Sequence, residues 1–173
     1  MSHSFRLATA TAADAARLAQ FVNNAYRGEE ARQGWTTEAD LLDGQRTDEA
    51  GMVDMLALPH AKVLLCQNEE GQLLGSFHVQ AKGAVLYLSM LAVEPAGQRQ
   101  GVGRFLLGAA EDYGRQHNCT LSQMTVISVR AELLAYYERQ GYRRTGATEP
   151  FPTDPRYGIP RQPLLLLVLE KPL

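Results

Sequence analysis

"QRQGVG", Gln98 to Gly103, runs directly into "RFLLGAAEDYGRQH", Arg104 to His117. The second stretch has helical spacing: Val102, Phe105, Leu106, Ala109, Ala110 and Tyr113 fall at i, i+3, i+4, i+7, i+8 and i+11, one continuous apolar stripe. Its start is unusual. Gln98, Arg99 and Gln100 stand where Ser, Thr, Asp or Asn would accept from the free first-turn amides. Arg99 and Arg104 add positive charge at the positive end of the helix dipole, a placement that costs about 0.3 to 1 kcal/mol each when exposed. The first carboxylates on the helix, Glu111 and Asp112, come nearly three turns later. An anion from outside the chain would account for both features, accepting from the amides and pairing with the arginines, with glycine at 101 and 103 letting the backbone approach. A tight glycine-bearing turn with solvent-facing arginines would produce the same letters without a ligand.

The usual phosphate-binding signatures narrow the choice of anion. A dinucleotide fingerprint G-x-G-x-x-G would need glycine at 106, where Leu106 stands, and no acidic residue follows at the ribose-contacting distance. No Gly-Lys-Ser/Thr occurs, so a Walker loop fails as well.

Working outward, the chain reads as one unit, residues 1–173. At 173 residues and 45% hydrophobic it is long enough for a substantial core. "SFRLATA" reads as a first strand. Thr11 and Asp14 then open a helix whose Ala15, Leu18, Ala19, Val22, Ala25 and Tyr26 share a face. Thr36 or Thr37 opens a second helix, "TEADLLDG", ending at Gly44, and Thr47 with Asp48 and Glu49 opens a third with Ala50, Val53 and Leu56 or Ala57 on one face. Three β-rich runs follow, "AKVLLCQN", "LLGSFHVQAK" and "AVLYLSMLAV", joined by short glycine-containing turns as in an antiparallel meander. After the long helix come a strand "LSQMTVIS", a short helix "AELLAYYERQ", a Pro-rich loop over residues 150–163, and a terminal strand "LLLLVLEK". Strand runs broken by helices predict an α+β domain around one mostly antiparallel sheet.

Composition excludes several partners. The net charge of −2 offers no basic excess for nucleic acid or a membrane surface. The longest aliphatic run, Leu164 to Leu169, is far short of a bilayer span, and no apolar leader opens the chain, so the protein reads as cytoplasmic. Cys66 and Cys119 form no CxxC pair and read as buried free thiols; His3, His60, His78 and His117 form no metal-like spacing, and no metal is expected.

"LAVEPAGQRQGVGRFLL" resembles motif A of the GNAT superfamily of N-acetyltransferases, with Gln98, Gly101 and Gly103 in its Q/R-x-x-G-x-G/A positions. "ELLAYYERQGY" resembles the family's following segment, with Tyr137, Glu138, Gly141 and Tyr142 matching. The resemblance implies the family fold, a mostly antiparallel central sheet of about six or seven strands flanked by about four to five helices. It implies acetyl-CoA or coenzyme A as cosubstrate. The pyrophosphate would lie on the turn formed by Gln98, Arg99, Gln100, Gly101, Val102, Gly103 and Arg104. The pantetheine arm would run along Leu91, Ala92 and Val93, bonding to the backbone of Leu91 and Val93. Leu91 to Val93 read equally well as plain core strand.

The implied reaction is direct attack of a neutral primary amine on a thioester, both substrates bound at once. A primary amine has a pKa of about 10.4, so on the order of one molecule in a thousand is neutral at pH 7, and a proton acceptor is expected. Tyr137 matches the position that commonly protonates the departing thiolate; packing in the core reads its spacing as well. Some family members carry a glutamate on the strand matching "AVLYLSMLAV", but here no carboxylate precedes Glu94. Glu29 and Glu30, in the segment "AYRGEEARQGWTTEADLL", become the base candidates, beside water-mediated deprotonation, and His78 reads as a structural histidine. Tyr26, Arg27, Trp35 and Tyr157 are the candidate acceptor-binding residues, and the arginine and the aromatic rings would suit an anionic or aromatic acceptor. The acceptor reads as a small molecule or a peptide: a pocket roofed by residues 150–163 would favour the former. Pairing of two copies through sheet edges or helices is compatible with the resemblance. A module that binds acyl-CoA without turnover, acting as a sensor or structural partner, is the alternative to an enzyme.

Overall fold

The computed structural model describes residues 4–27, 37–95 and 100–173, apart from the side chain of Tyr157. In chain order the elements are β1 (Arg6–Thr9), α1 (Ala15–Tyr26), β2 (Leu42–Asp43), α2 (Glu49–Ala57), β3 (Ala61–Gln67), β4 (Leu73–Lys82) and β5 (Val85–Val93). Then come α3 (Val102–Gln116), β6 (Leu121–Ile127), α4 (Ala131–Arg139), β7 (Arg143–Pro150), β8 (Ile159–Pro160) and β9 (Leu165–Pro172). Seven strands form one sheet in the order β1-β3-β4-β5-β6-β9-β7, and β2 pairs with β8 in a separate ribbon. Every pairing is antiparallel except β5 with β6.

Side-chain alternation decides which helix covers which face. On β3, Leu64 and Cys66 join Phe77, Val79, Leu86 and Leu88 beneath α3 and α4. Val63 and Leu65 point the other way, into a core with Leu18, Val22 and Tyr26 of α1 and Met52 of α2. All six apolar residues expected on the inner face of α1 are buried. Gly75 lets α3 approach β4 closely: a Cβ there would meet Val102 Cγ1 at 2.7 Å and Leu106 Cδ1 at 2.9 Å. Both cysteines are free and buried, and burial pushes the Cys66 thiol up to about 11.

Two local expectations are corrected, and one strand appears that the sequence did not announce. Residues 37–44 form no helix: the N–H groups of Leu41 and Leu42 both close on the Glu38 carbonyl in a single turn, and Leu42–Asp43 then pairs with Ile159–Pro160. A burial site for Leu42 beside Ile127 and Leu164 outweighs the helical propensity of so short a run. Helix α2 does open at Asp48, whose carboxylate accepts from Gly51 N–H at 2.7 Å, but it buries Met52 and leaves Ala50 and Val53 exposed. Strand β7, exposed along its whole length, carries no alternation to announce it; it completes the sheet edge by pairing with β9.

Candidate active site

The site is built on two irregularities of β5. Ser76 pairs with Ala92 and His78 with Ser89, so Phe77 alone opposes Met90 and Leu91: a β-bulge, with Met90 at φ 55°. The parallel ladder to β6 runs only from Val85↔Leu121 to Tyr87↔Gln123. Beyond it β5 stays with β4 and β6 stays with β9, so the two strands part within the sheet. A cavity of about 210 Å³ fills the parting, lined by Leu88 to Leu91 on one strand and Met124 to Ile127 on the other. Tyr26 of α1 and Tyr137 of α4 line it, as do Glu38, Arg46, Ser89 and Arg130. Phe151 and Pro152 contribute from the segment after β7, so the 150–163 stretch reaches the cavity. Arg161 holds that loop against the β2 segment through Asp43 at 2.7 Å.

On the α3 and α4 face a second cavity, about 570 Å³, lies between Val93, Gly101 to Arg104 and Glu132, Ala135, Tyr136, Arg139 and Gln140. Gly101 is the N-cap of α3 at φ 91°, a conformation that favours glycine, and no side chain among the described residues caps the helix. The uncapped start expected from "QRQGVG" is therefore present, with Gln100, Val102, Gly103 and Arg104 in the turn. Gln98 and Arg99 lie outside the described residues.

The Tyr26 hydroxyl donates to the Leu91 carbonyl, one of the backbone groups expected to meet a pantetheine arm. The carbonyl keeps a second lone pair. Ala92 is buried against the α1 side and Val93 against the α3 side. Burial pushes the Tyr26 hydroxyl up to about 12. The same cause, reinforced by Tyr26 and Tyr136, holds Tyr137 well above the ordinary tyrosine value. Burial thus favours the protonated form of the Tyr137 hydroxyl. Tyr142, matched by the second motif, is structural: its hydroxyl lies 2.8 Å from Ser122 Oγ and donates to Glu111, which also accepts from Lys171 at 2.9 Å.

Glu38, hidden in the polar run "TEAD", is buried and accepts from Arg27 at 2.7 Å; Arg130 stands 3.6 Å from its other oxygen. Arg27, expected to meet the acceptor, sits behind Glu38 and also donates to the Gly44 carbonyl. Glu29, Glu30 and Trp35 lie outside the described residues, as does the Tyr157 side chain; its backbone belongs to the turn Pro155–Tyr157. The residues missed by sequence reasoning are Glu38, Arg46, Arg130 and Ser89. Ser89 Oγ lies 3.0 Å from His78 Nδ1 across the β4–β5 ladder. His78 Nε2 makes no hydrogen bond among the described residues. Burial pushes this imidazole below its ordinary value, so it is neutral near pH 7. Among the described residues no group of His, Cys, Asp or Glu is placed to hold a metal ion, and no helix is long and apolar enough to cross a membrane.

A family model described as Acetyltransferase (GNAT) domain matches residues 21–151. Among solved structures, the ribosomal-protein-S18-alanine N-acetyltransferase from Escherichia coli is 17% identical, with a TM-score of 0.71 over 98% of this chain and 94% of that one. A GNAT-family acetyltransferase from Staphylococcus aureus is 12% identical, with a TM-score of 0.71 over 98% and 99%. yncA from Salmonella typhimurium, solved with its cofactor acetyl-CoA, is 21% identical, with a TM-score of 0.68 over 98% and 94%. At these identities the likeness is one of fold. No curated protein matches the sequence.

Proposed function

Because the chain belongs to the GNAT acetyltransferase family, we propose that it transfers an acetyl group from acetyl-CoA to the primary amine of a small molecule, both bound at once. The observation that carries this reading is the cavity in the β5–β6 parting, which combines a bulged strand edge with the hydroxyl-bearing Tyr137 in one space. The residues fit acetyl-CoA: an uncapped helix start with Gly101 at φ 91° and Arg104 suits a pyrophosphate, and the released edge of β5 suits an extended arm. Acetyl-CoA supplies the activated acyl group. Tyr137 holds a proton for the departing thiolate. Ser89, backed by neutral His78, is a described proton acceptor on the cavity wall; Glu29 and Glu30 stay as candidates from the segment beyond α1. The Phe151 and Pro152 roof and the small volume favour a small-molecule acceptor over a peptide.

The deciding experiment titrates the protein with acetyl-CoA, coenzyme A and NAD, then follows thiol release over a panel of amines. Micromolar CoA binding with amine-dependent thiol release, slowed about a hundredfold in Tyr137→Phe while CoA still binds, is the expected result. CoA binding without turnover of any amine would favour an acyl-CoA-binding module. Absence of CoA binding would remove the proposal.

A further inference from the structure

Arg46 lies on the cavity wall, partly buried, with its guanidinium carbon 5.7 Å from the centre of the Tyr26 ring. Other arginines of this region have carboxylates: Arg27 and Arg130 share Glu38, Arg161 takes Asp43 and Arg156 takes Asp154. Arg46 has none among the described residues. Its backbone is nevertheless fixed by a single side chain of α1. Asn23 Oδ1 accepts from the N–H groups of Arg46 at 2.8 Å and Thr47 at 3.1 Å, and Asn23 Nδ2 donates to the Thr47 carbonyl at 2.8 Å. An arginine with its backbone anchored this way and its guanidinium laid over a ring on the cavity wall is held where a ligand in that cavity can meet it.

We propose that Arg46 binds an anionic group of the acceptor, so that the substrates are small amines carrying a carboxylate, as amino acids do. This rests on the transferase reading above. A guanidinium accepts a carboxylate in a two-bond fork, which fixes orientation as well as charge. The one carboxylate of the described cavity wall, Glu38, is already engaged by Arg27 and Arg130, so it is poorly placed to attract an ammonium group. Positive charge at this wall also lowers the pKa of a nearby ammonium and favours the neutral amine that the reaction needs. An acceptor with its own carboxylate meets that field without repulsion. The cavity, about 210 Å³, is below the roughly 300 to 1,000 Å³ of drug-sized sites and suits a single amino acid.

The test compares L-amino acids with their carboxamides and with the decarboxylated amines, in wild type, Arg46→Gln and Arg46→Lys, by thiol release and by calorimetry on the free protein. The CoA-induced thermal shift is read on each protein, which reports folding and the cofactor reading separately. The expected result is turnover of one or more amino acids about tenfold or more above their carboxamides. Arg46→Gln raises the KM for the amino acid by about tenfold or more with a smaller change in kcat, and Arg46→Lys recovers part of the loss. Equal use of acids and carboxamides would overturn the proposal. So would an unchanged preference in Arg46→Gln, or CoA binding with no carboxylate-bearing amine accepted. If CoA does not bind, the transferase reading falls, and calorimetry with the same amino acids still decides this one: Arg46-dependent binding supports it and no binding refutes it.

Discussion

The Tyr26 hydroxyl donates to the Leu91 carbonyl, joining the last turn of α1 to the bulged half of β5. Both residues are buried, so the carbonyl has no ready substitute partner. Tyr26→Phe removes the donor and keeps the ring, and it should cost about 1 to 3 kcal/mol, the penalty of an unsatisfied buried acceptor. For a chain of this size that is a fall in Tm of roughly 2 to 10 °C. A melting curve within a degree of wild type would show that water replaces the hydroxyl.

Three tyrosines, Tyr26, Tyr137 and Tyr142, have hydroxyls held above their ordinary value by burial, Tyr26 at about 12. In the unfolded chain each ionises near pH 10, while the native state still keeps its proton. Above pH 10 the unfolded state therefore binds fewer protons, and stability falls as pH rises. The loss is about 1.4 kcal/mol per pH unit per tyrosine, complete for Tyr26 only near pH 12. Denaturant midpoints between pH 9 and 11 should show the decline, to which Tyr113, Tyr136, Cys66 and Cys119, also raised by burial, contribute, and Tyr26→Phe should make it shallower. An unchanged slope in that variant would assign the loss elsewhere.

Two glycines of similar appearance should respond oppositely to alanine. At Gly75 an added Cβ would stand 2.7 Å from Val102 Cγ1 and 3.1 Å from the Ala92 carbonyl oxygen, pushing the start of α3 off the sheet. Gly75→Ala should lose about 1 to 3 kcal/mol and weaken CoA binding with it. Gly108, within α3, has nothing within 4 Å of its added Cβ, and Gly108→Ala should gain about 0.5 to 1 kcal/mol of helix stability. Thermal melts of the two variants suffice to check the contrast.

What was legible in the sequence depended on how local its physics is. The start of α3 could be read because a missing cap and two glycines are features of adjacent letters, and the stripe on α1 because helical spacing repeats every turn. The bulge at Met90 could not: an unbranched residue at φ 55° leaves no glycine to mark it, and only the pairing with β4 reveals it. Strand β7 lacks an apolar face because it lies exposed at the sheet edge. The polar end of the cavity draws on Asn23, Glu38, Arg46 and Arg130, residues from separate segments that come together only where α1, the β2 segment and the start of α4 converge.

The pair Ser89 and His78 supplies the last prediction. Ser89 lines the cavity with its Oγ 3.0 Å from His78 Nδ1, and the imidazole is neutral near pH 7. If Nε2 carries the ring proton, then Nδ1 accepts from Ser89, whose oxygen lone pairs remain open to an acceptor N–H. A proton leaving the nitrogen would pass to Ser89 Oγ as the serine proton passes to Nδ1, and it would return to water by the same path. Ser89→Ala and His78→Gln should each lower kcat by about 10 to 100-fold, with the double variant no slower than the worse single one, because the two act as a unit. The acid limb of kcat should fall below the ordinary histidine range, since burial lowers the His78 pKa; Tyr26, Glu38, Arg46, Arg130 and Tyr137 are the other ionisable groups on that wall. Nitrogen-15 spectra of the free protein would find the proton on Nε2. A proton on Nδ1, donated to Ser89, would close this route and return the base to Glu29, Glu30 or water.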